Sequence, residues 1–224
     1  MPLPNPLDVA RLGEIYSRTA AFYDEIVAQK QAAAKLAAIE FLARRPGERF
    51  VEVGVGTAWA FGRVLRESGV ANACGLDVAI GMLEVSRHVL AEGHGIRDAT
   101  LLLGDGRRLP FADASVDCML NSYTFEVLAL NDIPPLLQET LRVLQPGGRI
   151  VIVNLTDLTD GAPDDEAMIE DWKRRYADDP EFFGGARPLQ LRSMLEAHGF
   201  DRIQRRYVGP DWPSEVLLAF RPVS

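Results

Sequence analysis

Between residues 50 and 155 the chain alternates short apolar runs with amphipathic stretches, and this rhythm constrains the fold more than any other feature. RFVEVG predicts a strand ending at Gly54, and AWAFGRVLRESG a helix stopped by Gly69. NACGLDV predicts a second strand, followed by IGMLEVSRHVLAEG, a helix with Ile80, Leu83, Val89 and Leu90 on roughly one face. ATLLLGD and SVDCMLNS predict strands three and four. DIPPLLQETLRVL is a helix closed by Pro146-Gly147-Gly148, and RIVIVNL is a continuous apolar strand of the kind buried in a parallel sheet. Strands that alternate with helices imply an α/β, doubly wound, mostly parallel sheet. Further on, PLQLRSMLEAHGF predicts a helix, and IQRRYVG and PSEVLLAFR two strands joined by a short turn. The seventh and last strand is therefore antiparallel.

Length and patterning suit a single domain over 1–224. An alanine-rich helical cap (1–45) packs over or beside the sheet's ligand edge. Residues 156–187 form an acidic insert broken by Gly161, Pro163, Pro180 and Gly184-Gly185, with a helix near Glu166 to Tyr176. A helix and strand pair (188–224) follow. With 47% hydrophobic and 25% charged residues the chain reads as an ordinary globular protein. No stretch reaches transmembrane length, and MPLPNPLDVARLGEIY lacks the charged-then-apolar pattern of an export signal, so the expected compartment is the cytoplasm. The net charge of −8 and the shortness of the basic spots Arg205-Arg206 and Lys173-Arg174-Arg175 argue against a nucleic-acid partner. Cys74 and Cys118 lie in apolar runs without a CxxC partner or neighbouring histidine, so no metal is expected.

Chemistry concentrates at the strand ends. Gly54 and Gly56 let the backbone approach a ligand closely, and the helix after them offers unpaired N–H groups. A tight strand–helix turn needs glycine even without a ligand. Asp77, however, ends the second strand about 20 residues on, where an acid accepts from ribose hydroxyls. Gly104-Asp105-Gly106 ends the third, where a carboxylate can accept from an adenine amine. Taken singly, either acid is equally at home as a helix N-cap. A dinucleotide fingerprint would require glycine where Trp59 stands, and Glu52, two residues before the first glycine, would repel a pyrophosphate but attract a cationic cofactor.

The segments VEVGVGTA, GLDVAIGMLEVSR, GDGRRLPFADASVD and LRVLQPGGRIVIV resemble, in order and spacing, the motifs of class I S-adenosylmethionine-dependent methyltransferases. The likeness is nearest the small-molecule branch with the ubiquinone/menaquinone and phospholipid N-methyltransferases, and IYSRTAAFYDEI looks like that branch's leading helix. The resemblance implies a Rossmann-like methyltransferase fold, with residues 46–155 as the cofactor-binding half. It implies S-adenosyl-L-methionine as cofactor, S-adenosyl-L-homocysteine as product and a small-molecule acceptor (amine, hydroxyl, or lipid- or quinone-like). Carried over residue by residue, Gly54 and Gly56 lie under the methionine part, with Glu52 positioning it. Asp77 holds the ribose, Met82 packs on adenine, and Asp105 and Gly106 read its edge. Asn121 lies beside the amino group, and Tyr16 and Tyr23 close over the cofactor. The family's third glycine is replaced by Ala58. After strand four, where many relatives carry histidine, this chain reads Phe125-Glu126-Val127.

Methyl transfer from a sulfonium is an in-line displacement, so alignment and water exclusion supply much of the rate, and no triad is required. His88, His94 and His198 fall away from the ligand edge. The acceptor side is expected to draw on Tyr23, Tyr123, Phe125, Glu126, Asp157, Tyr207 and Trp212, with Glu126 and Tyr123 as the catalytic candidates and Glu126 a base or an anchor for a cationic amine. Two further readings remain at this stage, a cofactor-binding module without catalysis and an NAD-dependent oxidoreductase. The acidic run Asp160 to Glu166 reads as a solvated loop, and the Gly and Pro content of 157–187 also suits a lid. S-adenosylhomocysteine is therefore expected to protect that segment and the N-terminal helix from limited proteolysis. Equal cleavage with and without it would count against a lid.

Overall fold

Each apolar run pairs with its neighbours as the alternation requires. The computed structural model describes residues 7–210 and 212–223, and residues 1–6 of the expected cap lie outside them. Among the described residues, β1 (Phe50–Val53), β2 (Ala73–Asp77), β3 (Thr100–Leu103), β4 (Val116–Ser122), β5 (Leu144–Leu155), β6 (Asp201–Val208) and β7 (Ser214–Phe220) form one sheet. The order is β3-β2-β1-β4-β5-β7-β6. The pairs β1·β2, β1·β4, β2·β3 and β4·β5 are parallel, while β7 is antiparallel to both β5 and β6. Strands β1 and β2 are buried along their whole length, since helices cover both faces. At the outer edge β6 alternates between exposed and half-buried side chains.

The helices are α1 (Val9–Leu42), α2 (Trp59–Ser68), α3 (Ile80–His88), α4 (Ile133–Val143), α5 (Pro163–Asp178) and α6 (Arg192–Ala197). α1 is a single helix of 34 residues, opened by the Asp8 side chain on the Arg11 N–H. Its first half lies over the strand ends. Ala34, Ala37, Ala38 and Leu42 of its second half join the core. α1 and α3 meet backbone to backbone at Gly81, where a Cβ would sit 2.5 Å from the Ser17 carbonyl oxygen. At the far end Arg149 donates to the Leu42 and Ala43 carbonyls at 2.6 and 3.1 Å and so closes the helix C-terminus.

Three expectations are corrected. Ile80 is exposed because it opens α3 ahead of the buried set Met82, Leu83 and Ser86, and the next turn is a π-turn (Val89–Gly93) that shifts the apolar phase. The acidic run is not wholly a loop. Pro163 begins α5, and Asp164, Asp165 and Glu166 occupy its first turn, where negative charge suits the helix dipole. Pro146-Gly147-Gly148 falls inside β5 as an irregularity between the pairs Val116↔Leu144 and Cys118↔Arg149, with Gly147 at φ +77°.

Arg187 is the bulkiest buried polar residue, with no exposed surface. Its guanidinium donates to the Glu126 carbonyl at 2.7 Å and the Leu128 carbonyl at 2.6 Å, fixing the segment after β4. Arg187→Met leaves the Leu128 carbonyl unmet and the Glu126 carbonyl with only the backbone N–H of residue 187, with an expected loss of roughly 1–3 kcal/mol in chemical denaturation. A loss under about 0.5 kcal/mol would mean that the Leu128 carbonyl finds another donor.

Candidate functional site

The strand order reverses direction between β1 and β4, and such a switch point opens a crevice at the carboxyl ends of the strands. A cavity of about 940 Å³, its open mouth included, lies there, a size in the range of small-molecule sites. Its walls come from the turn Val53 to Thr57, from Asp77, from Gly104 to Arg107, and from Ser122 to Thr124. Tyr16, Tyr23 and Lys35 of α1 close it.

The turn requires its glycines. Gly54 has φ +71°, and a Cβ there would lie 2.0 Å from Thr124 Oγ1. Gly56 has φ +54° and open space where a Cβ would stand. Ala58 adopts the left-handed conformation at φ 63°, which shows why a glycine is usual at that place. Asp77 braces the turn: Oδ2 accepts from the Gly56 N–H at 2.8 Å and Oδ1 from the Ala79 N–H at 2.9 Å. Burial nevertheless pushes its carboxyl above the usual range. Asp105 accepts from the Arg107 guanidinium at 2.7 Å, and Arg107 also donates to Asp132 at 2.6 Å. Burial raises Asp105, but these bonds outweigh it and hold the carboxyl low. Met82 lines the cavity from α3 rather than from the preceding turn.

Two ionisable groups in this cavity are left partly unsatisfied. Glu52, 1% exposed, accepts from Ser122 Oγ at 3.2 Å through Oε1, while Oε2 is buried without any hydrogen bond. Burial pushes its carboxyl up to about 8, against the pull of Lys35. The Lys35 ammonium lies 5.6 Å from the Tyr123 ring centre and 5.8 Å from that of Trp59, and no hydrogen bond or ion pair holds it among the described residues. Desolvation lowers its pKa, opposed by Glu52, Asp24 and Glu126. Sequence reasoning missed Lys35. Its signal was a lone cation within the apolar run AAAKLAA.

A second cavity, about 610 Å³ with its mouth, shares Tyr16, Tyr23 and Tyr123 with the first. Glu126, Gln31, Trp212, Phe183, Gly184 and Ala186 also line it, with an apolar wall from Ile15, Ile26 and Val27 beside Thr19. Gln31 Oε1 and Trp212 Nε1 are buried without partners. Glu126 Oε2 accepts from the Leu155 N–H at 2.5 Å, and burial pushes this carboxyl too up to about 8. Tyr123 is held at φ 57°, with its hydroxyl 2.7 Å from Ser214 Oγ, which in turn donates to the Trp212 carbonyl. Burial drives the Tyr123 phenol far up, so it stays protonated and is no base.

Several expected residues stand elsewhere. Asn121 lines neither cavity, because its amide turns back to donate to the Val53 carbonyl at 3.1 Å. Phe125 is core, Asp157 pairs with Lys173 and Gln190, and Tyr207 donates to Asp165. The histidines line neither cavity. The basic spots are neutralised in place, Arg205 by Asp160 and Glu215, Arg206 by Glu40, and Arg174 and Arg175 by Asp171.

A doubly wound sheet with this strand order and a glycine turn followed by two acidic strand ends points to the nucleoside-cofactor class of α/β domain. Comparison with known proteins makes the class specific: residues 51–152 match the family described as a methyltransferase domain. The malonyl-(acyl-carrier protein) O-methyltransferase of Serratia marcescens is 36% identical over 141 residues, 62% of this chain and 51% of that one. The ubiquinone/menaquinone biosynthesis C-methyltransferase of Dinoroseobacter shibae is 36% identical over 126 residues, 55% of this chain and 49% of that one. The chain thus spans about half the length of these curated relatives. Among solved structures, the (4+2)-cyclase SpnF superposes with TM-score 0.77 at 18% identity, over 100% of this chain and 99% of that one. A Thermotoga maritima S-adenosylmethionine-dependent methyltransferase gives 0.64 at 20% identity, over 94% and 99%. Residues 51–152 therefore match a methyltransferase domain, and the fold is that of the S-adenosylmethionine-dependent methyltransferases it superposes on.

Glu52 and Glu126 keep their protons in the native chain up to about pH 8, whereas an unfolded glutamate loses its own near 4.5. Between those values the native state binds more protons, so each carboxyl makes stability fall as pH rises. Lys35, with its pKa displaced downward, acts in the opposite sense at higher pH. The expected result is a melting temperature that falls from pH 5 to 8, and less steeply in Glu52→Gln. Identical slopes in both proteins would show Glu52 to be ionised in the folded chain.

Proposed function

We propose that the chain transfers a methyl group from S-adenosylmethionine to a small organic acceptor. The observation that carries this reading is a pair of ionisable groups in the first cavity that the protein leaves unsatisfied, Glu52 through Oε2 and Lys35 with ring contacts alone. The methionine end of the cofactor is a zwitterion: its ammonium answers the orphaned Glu52 Oε2, and its carboxylate answers Lys35. A pyrophosphate, all negative and without an N–H, would bring Glu52 Oε2 no donor. Gly54 and Gly56 would let that end lie on the turn, Asp77 would take the ribose, and Met82 with Asp105 and Gly106 would hold adenine. Tyr16 and Tyr23 would close over it. When bound, the cofactor supplies a methyl on a positively charged sulfur. The chain's own residues then align the acceptor and exclude water, which accounts for much of the rate in such displacements.

The second cavity, across the tyrosine wall, is the acceptor's place in this reading, and the 156–187 segment covers it through Phe183, Gly184 and Ala186. The relatives' names point to quinone and acyl-carrier substrates for those proteins. For this chain the supported statement is a small organic acceptor. No described helix is long and apolar enough to cross a membrane.

Calorimetry with two ligands tests the assignment. S-adenosylhomocysteine carries the zwitterion, and 5′-methylthioadenosine lacks it. Each charge-assisted hydrogen bond contributes about 1.5–3 kcal/mol, so Lys35→Met and Glu52→Gln should each weaken S-adenosylhomocysteine roughly 10–150-fold. Methylthioadenosine affinity should not change. Equal losses for both ligands would place the defect in folding rather than recognition.

A further inference from the structure

We propose that the acceptor in the second cavity is an amine: a primary or secondary amine on an apolar or aromatic body, entering as its ammonium between the tyrosine wall and Glu126. The inference rests on the methyl-transfer reading for its chemistry, but its evidence lies wholly in the second cavity.

Charge is the first argument. The described lining carries one carboxyl and no lysine, arginine or histidine. A carboxylate or phosphate acceptor would find no cation in the lining to pair with, and beside it the Glu126 carboxyl would be held neutral. Hydrogen-bonding capacity is the second. Gln31 leaves its carbonyl oxygen buried and unmatched. The Glu126 carboxyl receives a single donor, the Leu155 N–H. Both groups lack donors, and an ammonium brings several where a hydroxyl brings one. The rings are the third. Tyr16 and Tyr23 meet edge to face at 6.0 Å, and with Tyr123 and Phe183 they give aromatic faces of the kind that hold cations. Trp212 already has the Lys30 ammonium 5.6 Å from its ring centre, and its N–H is buried without a partner. Gly184 lets the Tyr16 hydroxyl close against the insert, since a Cβ there would come within 2.7 Å of it.

The chemistry balances. The ammonium gives one proton to the ionised Glu126, which frees the nitrogen lone pair. The N–C bond forms as the C–S bond breaks, and the breaking bond's electron pair stays on sulfur. The proton on Glu126 then leaves to solvent, so each turnover releases one proton. Groups facing Glu126 are Arg187 and Lys35, which favour its ionised form, and Tyr16, Tyr23 and Tyr123, which stay neutral. Burial pushes the Glu126 carboxyl up to about 8, so an ammonium should bind more tightly as pH rises toward that value.

The test is equilibrium binding to the full chain, with and without saturating S-adenosylhomocysteine. The probes are 2-phenylethylamine, 2-phenylethanol and phenylacetate, together with their naphthyl counterparts. The amines should bind at least tenfold more tightly than the alcohols, and the acids should not bind. Amine affinity should climb from pH 6.5 to 8. Glu126→Gln should abolish both the preference and the climb while S-adenosylhomocysteine still binds, and Gln31→Leu should weaken amines more than alcohols. Alcohols or acids binding as well as amines, no amine binding, or a preference that survives Glu126→Gln would each overturn the proposal. Failure of S-adenosylhomocysteine to bind, with the amine preference intact, would sink the cofactor reading and leave the acceptor class standing.

Discussion

The structure depends on how the ends of β1 and β2 are laced together. Gly54 and Val55 both donate to the Leu76 carbonyl, at 2.8 and 3.0 Å, and Asp77 accepts from the Gly56 and Ala79 N–H groups. One carboxylate thus shapes the glycine turn and the start of α3 together. Without that lacing, the backbone after β1 would have to satisfy its buried N–H groups elsewhere, and the floor of the first cavity would not exist. The same carboxylate keeps lone pairs for a ligand, so in the proposed reading brace and binding group would be one residue.

α1 turns this floor into a closed site. A helix of 34 residues can be footed in the core at one end and lie over the strand ends at the other. Thr57 Oγ1 donates to Asp24 at 2.8 Å and ties the helix to the turn. Closure buries Lys35, Glu52 and Glu126 together, and burial is the first cause of the displaced pKa of each. Such groups are costly to bury, because a buried polar atom without a protein partner forfeits its hydration. Such costs persist where a ligand relieves them.

Sequence rhythm was enough for the sheet, because a buried parallel strand must be apolar throughout and a covering helix must be amphipathic. Gly54, Gly56, Asp77 and Asp105 were legible because strand ends and turns have strict chemistry. Lys35 was not, since nothing in AAAKLAA tells which way one side chain points once α1 crosses the strand ends. Asn121 was misplaced for a related reason. Neighbours along a strand point to opposite faces, and Ser122, not Asn121, reaches the cavity. Ile80 failed because a helix's first turn need not share the burial of its later turns, and a π-turn then broke the period.

The two cavities differ in the charge they can accept. The first presents both signs, Glu52 against Lys35, and suits a zwitterion. The second presents only Glu126, backed by Arg187 through its carbonyl rather than its carboxylate. In methyl transfer to an amine, positive charge leaves sulfur and appears on nitrogen. It would therefore move from the mixed cavity, past the tyrosine wall, toward the side that holds only a carboxyl. Fixed groups placed where charge develops need not reorganise during the reaction, and this is the largest electrostatic advantage a folded site has over water. The tyrosines suit the boundary because their rings tolerate a passing cation, while burial keeps their hydroxyls protonated and unable to compete with Glu126 for the proton.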